Sequence, residues 1–303
     1  MRGVFVDANE SLAVIFERLN KSGDPPVRIN RNPDITSEQM PALLDGAEIV
    51  VIDHTALPTD VARRCTGLKH VVFLGTGARS YMNPEELGQL GIAVHLIRGY
   101  GDTAVAESAI ALMWAAARGI AQMDREMRVG NWLREDGMQL TGKTLGLIGF
   151  GGIAAEVARI ALGGGMRVIA WNRSTKTYPD VQFVDLKTLL VACHVVSLHL
   201  LLNDETRGFL SRERIASMRP GVILVNTARG ALVDEQAMID ALESGHIRHA
   251  GLDVFNIEPL PADHPLTRLS NVTLSAHSAF RTPEASENLI QASWDHCRRI
   301  ANA

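Results

Sequence analysis

The chain has 303 residues, enough for two domains of ordinary size, and its 46% hydrophobic and 21% charged content describes a globular protein with buried cores. A formal net charge of −4 supplies no overall basic field, which argues against nucleic acid or an anionic membrane as partner, so any anion site has to be built locally. The three cysteines, Cys65, Cys193 and Cys297, are scattered and contain no CxxC, which excludes a disulfide framework or zinc cluster and fits a reducing cytoplasm.

MRGVFVDANE lacks the apolar core and cleavage site of a signal peptide, which adds to the expectation of a cytoplasmic protein. From there the chain alternates short apolar runs with helical patterns. RGVFVD precedes SLAVIFERL, EIVVID precedes PTDVARRC, HVVFL precedes NPEELGQLG, and IAVHLI closes the series. This alternation predicts a mostly parallel sheet with helices on both faces. RGYGDT interrupts it, and a long helical segment is expected from about Thr103, carrying Ile110, Leu112, Met113 and Trp114. Its apolar run, Ala109 to Ala117, is far below the ~20 residues that span a bilayer, so it reads as a buried helix. Further α/β units run to a strand at Val272 to Ser275, and Thr282-Pro283 opens a last helix.

Residues 144 to 174 read as strand, glycine turn, helix and second strand, the unit that holds a dinucleotide pyrophosphate. Gly149 tightens the turn, Gly151 lets backbone approach the phosphates, and Ala154 keeps the helix close to the sheet. The phosphates are expected on the helix N-terminus, against Gly149, Gly151, Gly152 and Ile153. At the end of the second strand stand Asn172, Arg173 and Ser174, where NAD-binding units usually carry Asp or Glu for the ribose hydroxyls. A carboxylate there would repel a 2′-phosphate by several kcal/mol at an effective dielectric of about 20. Its replacement, with Arg173 able to add a charge-assisted bond, predicts NADP(H) as preferred cofactor and leaves NAD(H) open.

Three later segments place chemistry at strand ends, where open α/β sheets bind ligands. GVILVNTARG offers Arg229 as a clamp for a carboxylate, AGLDVFNIEPLP offers Asp253 and Glu258, and NVTLSAHSAF offers His277. His246 and His249 are three apart with no partner motif, and no metal site is expected.

With these motifs the sequence resembles the D-isomer-specific 2-hydroxyacid dehydrogenases. The resemblance rests on VAE at Val105 to Glu107, LTGKTLGLIGFGGIA from Leu140, VVSLHL from Val195, ETRGFL from Glu205, NTARGALVDE from Asn226, and GLDVF with EPLP around Asp253 and Glu258. It implies two doubly wound Rossmann-like domains with a cleft between them. Residues 1–97 would begin the substrate domain, 98–280 would bind the dinucleotide, and 281–303 would return as a helix to the substrate domain. It also implies Arg229, Glu258 and His277 as the catalytic set, Thr227 among the cofactor contacts, and Asp253 near the nicotinamide carboxamide. Backbone N–H groups of Thr76 and Gly77, with Arg229, would hold the substrate carboxylate. Hydride would pass between nicotinamide and C2 of a small 2-keto or 2-hydroxy acid, His277 would exchange the proton, and Glu258 would hold the imidazole. A glyoxylate or hydroxypyruvate reductase acting as a homodimer is the reading that follows. An NAD-dependent phosphoglycerate or other 2-hydroxyacid dehydrogenase is the alternative within the same chemistry, and a nucleotide-sensing binding module the alternative outside it.

The chain departs from the family pattern around His277. Ser275, Ala276, Ser278, Ala279, Phe280 and Arg281 replace the usual Thr-Pro-His-Ile-Ala/Gly-Gly surroundings. Arg79 follows Gly77 in a loop where many relatives place Asp, and Arg98 stands where Pro is common. These changes bear on substrate identity more than on reaction type.

Overall fold

A computed structural model describes residues 1–302. The chain divides into two compact units, one made of Met1–Gly101 and the segment from Arg281 onward, the other of Asp102–Phe280. The Arg98–Gly101 segment, expected to open the second domain, belongs to the first unit.

The first unit holds a five-stranded parallel sheet of β1 (Gly3–Phe5), β2 (Val27–Ile29), β3 (Ile49–Ile52), β4 (His70–Phe73) and β5 (Ala93–Leu96), in the order β2-β1-β3-β4-β5. Side chains alternate across a strand, so neighbours in β1 serve opposite cores. Val4 faces a cluster with Val50, Val61 and Leu87, while Phe5 faces Phe16 and Trp294. Trp294 lies on the last helix, Pro283–Ala301, whose N-cap Thr282 accepts from Ala285 N–H as the Thr-Pro signal predicts. Phe16 and Trp294 stack at 4.3 Å between centroids, and the indole N–H donates to the Phe16 carbonyl at 2.9 Å. Their contact ties the chain's last helix to its first.

The second unit holds seven parallel strands: β6 (Thr144–Ile148), β7 (Arg167–Trp171), β8 (Val181–Phe183), β9 (Val195–Leu198), β10 (Val222–Asn226), β11 (Ile247–Leu252) and β12 (Val272–Leu274). Their order, β12-β11-β10-β9-β6-β7-β8, reverses direction between β6 and β9. A parallel sheet opens a crevice beyond its carboxyl ends at such a switch point. The helix Asp102–Arg118 buries eight of its residues, Ala106 and Met113 among them, and packs on the helix Gly152–Gly163 and on strands β10 and β11. It ends where Gly119 takes φ +62°, and a second helix, Ile120–Arg128, follows. Among the described residues no single helix is long and apolar enough to cross a membrane.

Candidate active site

Every strand-end segment singled out in the second unit lies at the carboxyl edge of its sheet. β6 ends in a turn where Gly149 takes φ +88°, a region costly for residues with a side chain. A Cβ there would also come within 2.7 Å of the His199 carbonyl oxygen just past β9. The helix Gly152–Gly163 starts immediately after, with Gly151 as N-cap. Its first N–H groups have no acceptor within the helix. At Gly151 a side chain would point into open space, which marks the backbone there as accessible.

At the end of β7, Asn172 acts differently from a simple vacancy in an acidic position. Its Oδ1 accepts from Phe150 N–H at 3.1 Å, and its amide donates to the Ser174 carbonyl and hydroxyl, both at 2.9 Å. The side chain therefore fastens the glycine turn to the end of the second strand. Arg173 forms a 2.6 Å ion pair with Glu205, with both side chains largely exposed.

β10, β11 and β12 build the polar group. The Asn226 side chain accepts from Ala228 N–H and donates to the Arg229 carbonyl, which curls the turn after β10. Arg229 is half-buried, and its guanidinium donates to the Ala228 carbonyl at 2.6 Å. Among the described residues no carboxylate forms an ion pair with it. Thr227 Oγ1 is buried and has no hydrogen-bond partner there.

His277 Nδ1 lies 2.6 Å from Glu258 Oε2, and Glu258 Oε1 accepts from Phe255 N–H at 2.9 Å. A carboxylate only accepts, so Nδ1 carries the proton and Nε2 is left for chemistry. Both side chains are about one-third exposed, 37% for His277 and 35% for Glu258. The His277 backbone sits at φ +46°, unusual for a residue with a side chain. Asp253 explains how it stays there. Its carbonyl accepts from His277 N–H at 2.8 Å, and its fully buried carboxylate accepts from Ser275 Oγ, Ser278 N–H and Ala279 N–H. Both carboxylate oxygens are thus engaged by the loop that carries His277. Sequence inspection missed that positioning role, although a lone Asp at a strand end beside a run of small polar residues is its local signal.

In the first unit, Thr76 and Gly77 lie in the turn after β4, Thr76 exposed and Gly77 half-buried. Arg79, in the loop where many relatives place Asp, is ion-paired with Glu85. Of the His246 and His249 pair, His246 meets the Ile215 carbonyl and His249 the Thr273 hydroxyl, so the two rings serve different partners.

A family model described as D-isomer specific 2-hydroxyacid dehydrogenase, NAD binding domain, matches residues 110–279. The chain belongs to this family. It is therefore an oxidoreductase acting on a CH–OH group, with a nicotinamide dinucleotide as cofactor. It is 39% identical to a hydroxypyruvate reductase of Thermotoga maritima, over 80% of each chain. It is 40% identical to a glyoxylate reductase of Aeropyrum pernix, over 67% of each. A solved acyclic imino acid reductase in complex with NADPH and D-Arg superposes with a TM-score of 0.84 at 29% identity, covering 96% of this chain and 94% of that one. The residues present fit such a cofactor. The open backbone at Gly151, the unpaired N–H groups at the helix start and the unpartnered Thr227 hydroxyl are polar groups suited to a bound dinucleotide.

Proposed function

We propose that the chain is an NADP(H)-preferring reductase of small 2-keto acids of the glyoxylate and hydroxypyruvate type. The observation that carries this reading is the 2.6 Å pair of Glu258 and His277, on the same sheet edge as an Arg229 that has no carboxylate partner among the described residues. The named activities of the two reductases similar to this chain give the substrate class.

In this reading Arg229 takes the substrate carboxylate in a charge-assisted, bidentate grip, which fixes the face and distance of the adjacent carbonyl. His277 delivers a proton from Nε2 to the oxygen that becomes the alcohol, while Glu258 holds the ring through Nδ1. Asp253 acts through the loop, keeping His277 in its left-handed conformation. The bound dinucleotide supplies the hydride. Gly149, Gly151, Gly152, Ile153 and Thr227 would hold its phosphates and ribose, with Asn172, Arg173 and Ser174 at the adenosine end.

The NADP preference is supported by the neutral Asn172 and by Arg173, whose partner Glu205 is exposed and exchangeable, since surface ion pairs are worth only about 0 to 1 kcal/mol. One observation favours a second reading, use of both cofactors: Glu205 competes with a 2′-phosphate for Arg173. We also propose a homodimer, supported by the exposed apolar side chains of Met127, Val129 and Trp132, at 55%, 72% and 74% exposure. A single monomeric mass in solution light scattering would remove it.

The experiment is oxidation of NADPH, and separately NADH, across glyoxylate, hydroxypyruvate, pyruvate, phenylpyruvate and 2-oxoglutarate. Faster turnover with NADPH on the small acids is the expected result. Preference for NADH, or turnover confined to the larger acids, would overturn cofactor or substrate respectively.

A further inference from the structure

Asp102, the first residue of the helix Asp102–Arg118, holds its carboxylate against the first residue of the helix Gly152–Gly163. A Cβ on Gly152 would overlap Oδ2 and come within 2.8 Å of Cγ and 3.5 Å of Oδ1. The missing side chain at Gly152 therefore admits an acidic group onto the start of the helix. That start is also where the phosphates of a dinucleotide belong, because its N–H groups and the positive pole of about half an elementary charge point outward there.

Apart from the helix starts it faces, Asp102 has no cationic side chain among the described residues to offset its charge. Among the described residues it forms no ion pair, and the charged group that acts on it is Glu156, on the facing helix and itself bound to Arg159 at 3.0 Å. Burial, and then the Glu156 charge, push the Asp102 carboxyl above the usual carboxylate range. A dinucleotide pyrophosphate brings two further negative charges to the same pole. Like charges sharing one site favour the neutral form of whichever can take a proton, and the pyrophosphate cannot take one near neutrality.

We propose that Asp102 couples dinucleotide binding to uptake of one proton: the ionised carboxylate opposes the pyrophosphate, and the complex holds Asp102 neutral. The proposal rests on the reading of Gly149 to Ile153 as the phosphate seat. Its sign follows from linkage. Binding is tightest at low pH, where Asp102 is already neutral in the free protein, and weakens as pH rises between the free and the bound titration points.

The test uses the full chain and ADP-ribose, whose diphosphate keeps a constant charge near neutrality, titrated calorimetrically from about pH 6 to pH 9. Proton linkage limits the slope to about tenfold in affinity per pH unit. The expected result is an affinity that falls with pH and a binding heat that depends on the buffer's ionisation enthalpy, reporting proton uptake. Asp102→Asn should bind about tenfold tighter at high pH with a flat profile, and Asp102→Glu should keep the slope. Thermal melts check that each variant is folded, and proton uptake by the unaltered protein stands independently of either. A flat wild-type profile with tight binding, or an Asp102→Asn profile that matches wild type, would overturn the proposal while leaving the phosphate seat intact. Failure of ADP-ribose to bind even the unaltered protein would overturn the seat itself and the proposal with it.

Discussion

Glu258 Oε2 and His277 Nδ1 are 2.6 Å apart although 19 residues separate them in the chain. The contact sets the tautomer, leaving Nε2 as the atom that exchanges a proton. Replacing His277 by Ala removes general acid-base help and should lower kcat for 2-keto acid reduction by about 10²- to 10⁴-fold. Glu258→Ala should cost less, because the imidazole remains but is no longer oriented. Steady-state kinetics on the best small acid checks both, and a His277→Ala enzyme with wild-type kcat would remove His277 as the acid.

Arg229 is half-buried, and among the described residues its guanidinium donates to the Ala228 carbonyl and forms no ion pair. Lysine keeps the charge but loses the planar fork, so Arg229→Lys should lower kcat/KM by about 10- to 100-fold, the loss of one or two charge-assisted bonds. An unchanged kcat/KM would mean that the carboxylate is held elsewhere.

Asn172 receives Phe150 N–H and donates to Ser174. An aspartate at this position keeps the acceptor for Phe150 while placing a negative charge beside any 2′-phosphate. Asn172→Asp should shift the NADPH to NADH ratio of kcat/KM toward NADH by about tenfold or more, given the Coulomb energies of close charges at a protein surface. The competing result, an unchanged ratio, would show that residues 172 to 174 do not select the cofactor.

Gly149 combines φ +88° with a His199 carbonyl 2.7 Å from where a Cβ would stand. Gly149→Ala should therefore destabilise the protein by about 1 to 3 kcal/mol through backbone strain. Dinucleotide affinity should fall with it as the turn shifts. Denaturant melts and ADP-ribose titration read the two effects separately.

His249 is buried and bonded to Thr273 Oγ1 at 2.9 Å, and burial, assisted by Arg125 and Arg248, pushes its pKa down to about 4. A depressed pKa means that the fold binds the neutral ring. Its stabilising contribution is complete above the ordinary histidine value of 6.5 and is lost as pH falls toward about 4. A shift of this size corresponds to as much as about 3 kcal/mol. Melting temperature should fall on acidification through this window, and His249→Asn should flatten part of that fall. His199, also held near pKa 4 by burial, accounts for a further part.

Much of the architecture was legible in the chain. The alternation of apolar runs and helical periods, the Thr282-Pro283 helix start and the glycine turn at Gly149 each depend on residues within a few positions of one another, where side-chain period and backbone freedom act directly. Strand β2 was missed because charged Arg28 interrupts Val27–Ile29, so that no apolar run marks it as one does the equally short β1. The residue types at the strand ends, Arg229, Glu258 and His277, could likewise be read as chemistry before any geometry was known.

What those residues touch was decided only by the folded chain. Asp253 is spent on the His277 loop, Asn172 on the Phe150 amide, and Asp102 stands against Gly152 across two helices. A polar side chain's partner depends on which distant strand ends and helix starts are brought within about 3 Å, and hydrogen bonds fail outside that distance and a narrow range of angles. Local sequence specifies the elements and their chemistry, while the parallel order of the two sheets determines which polar groups meet.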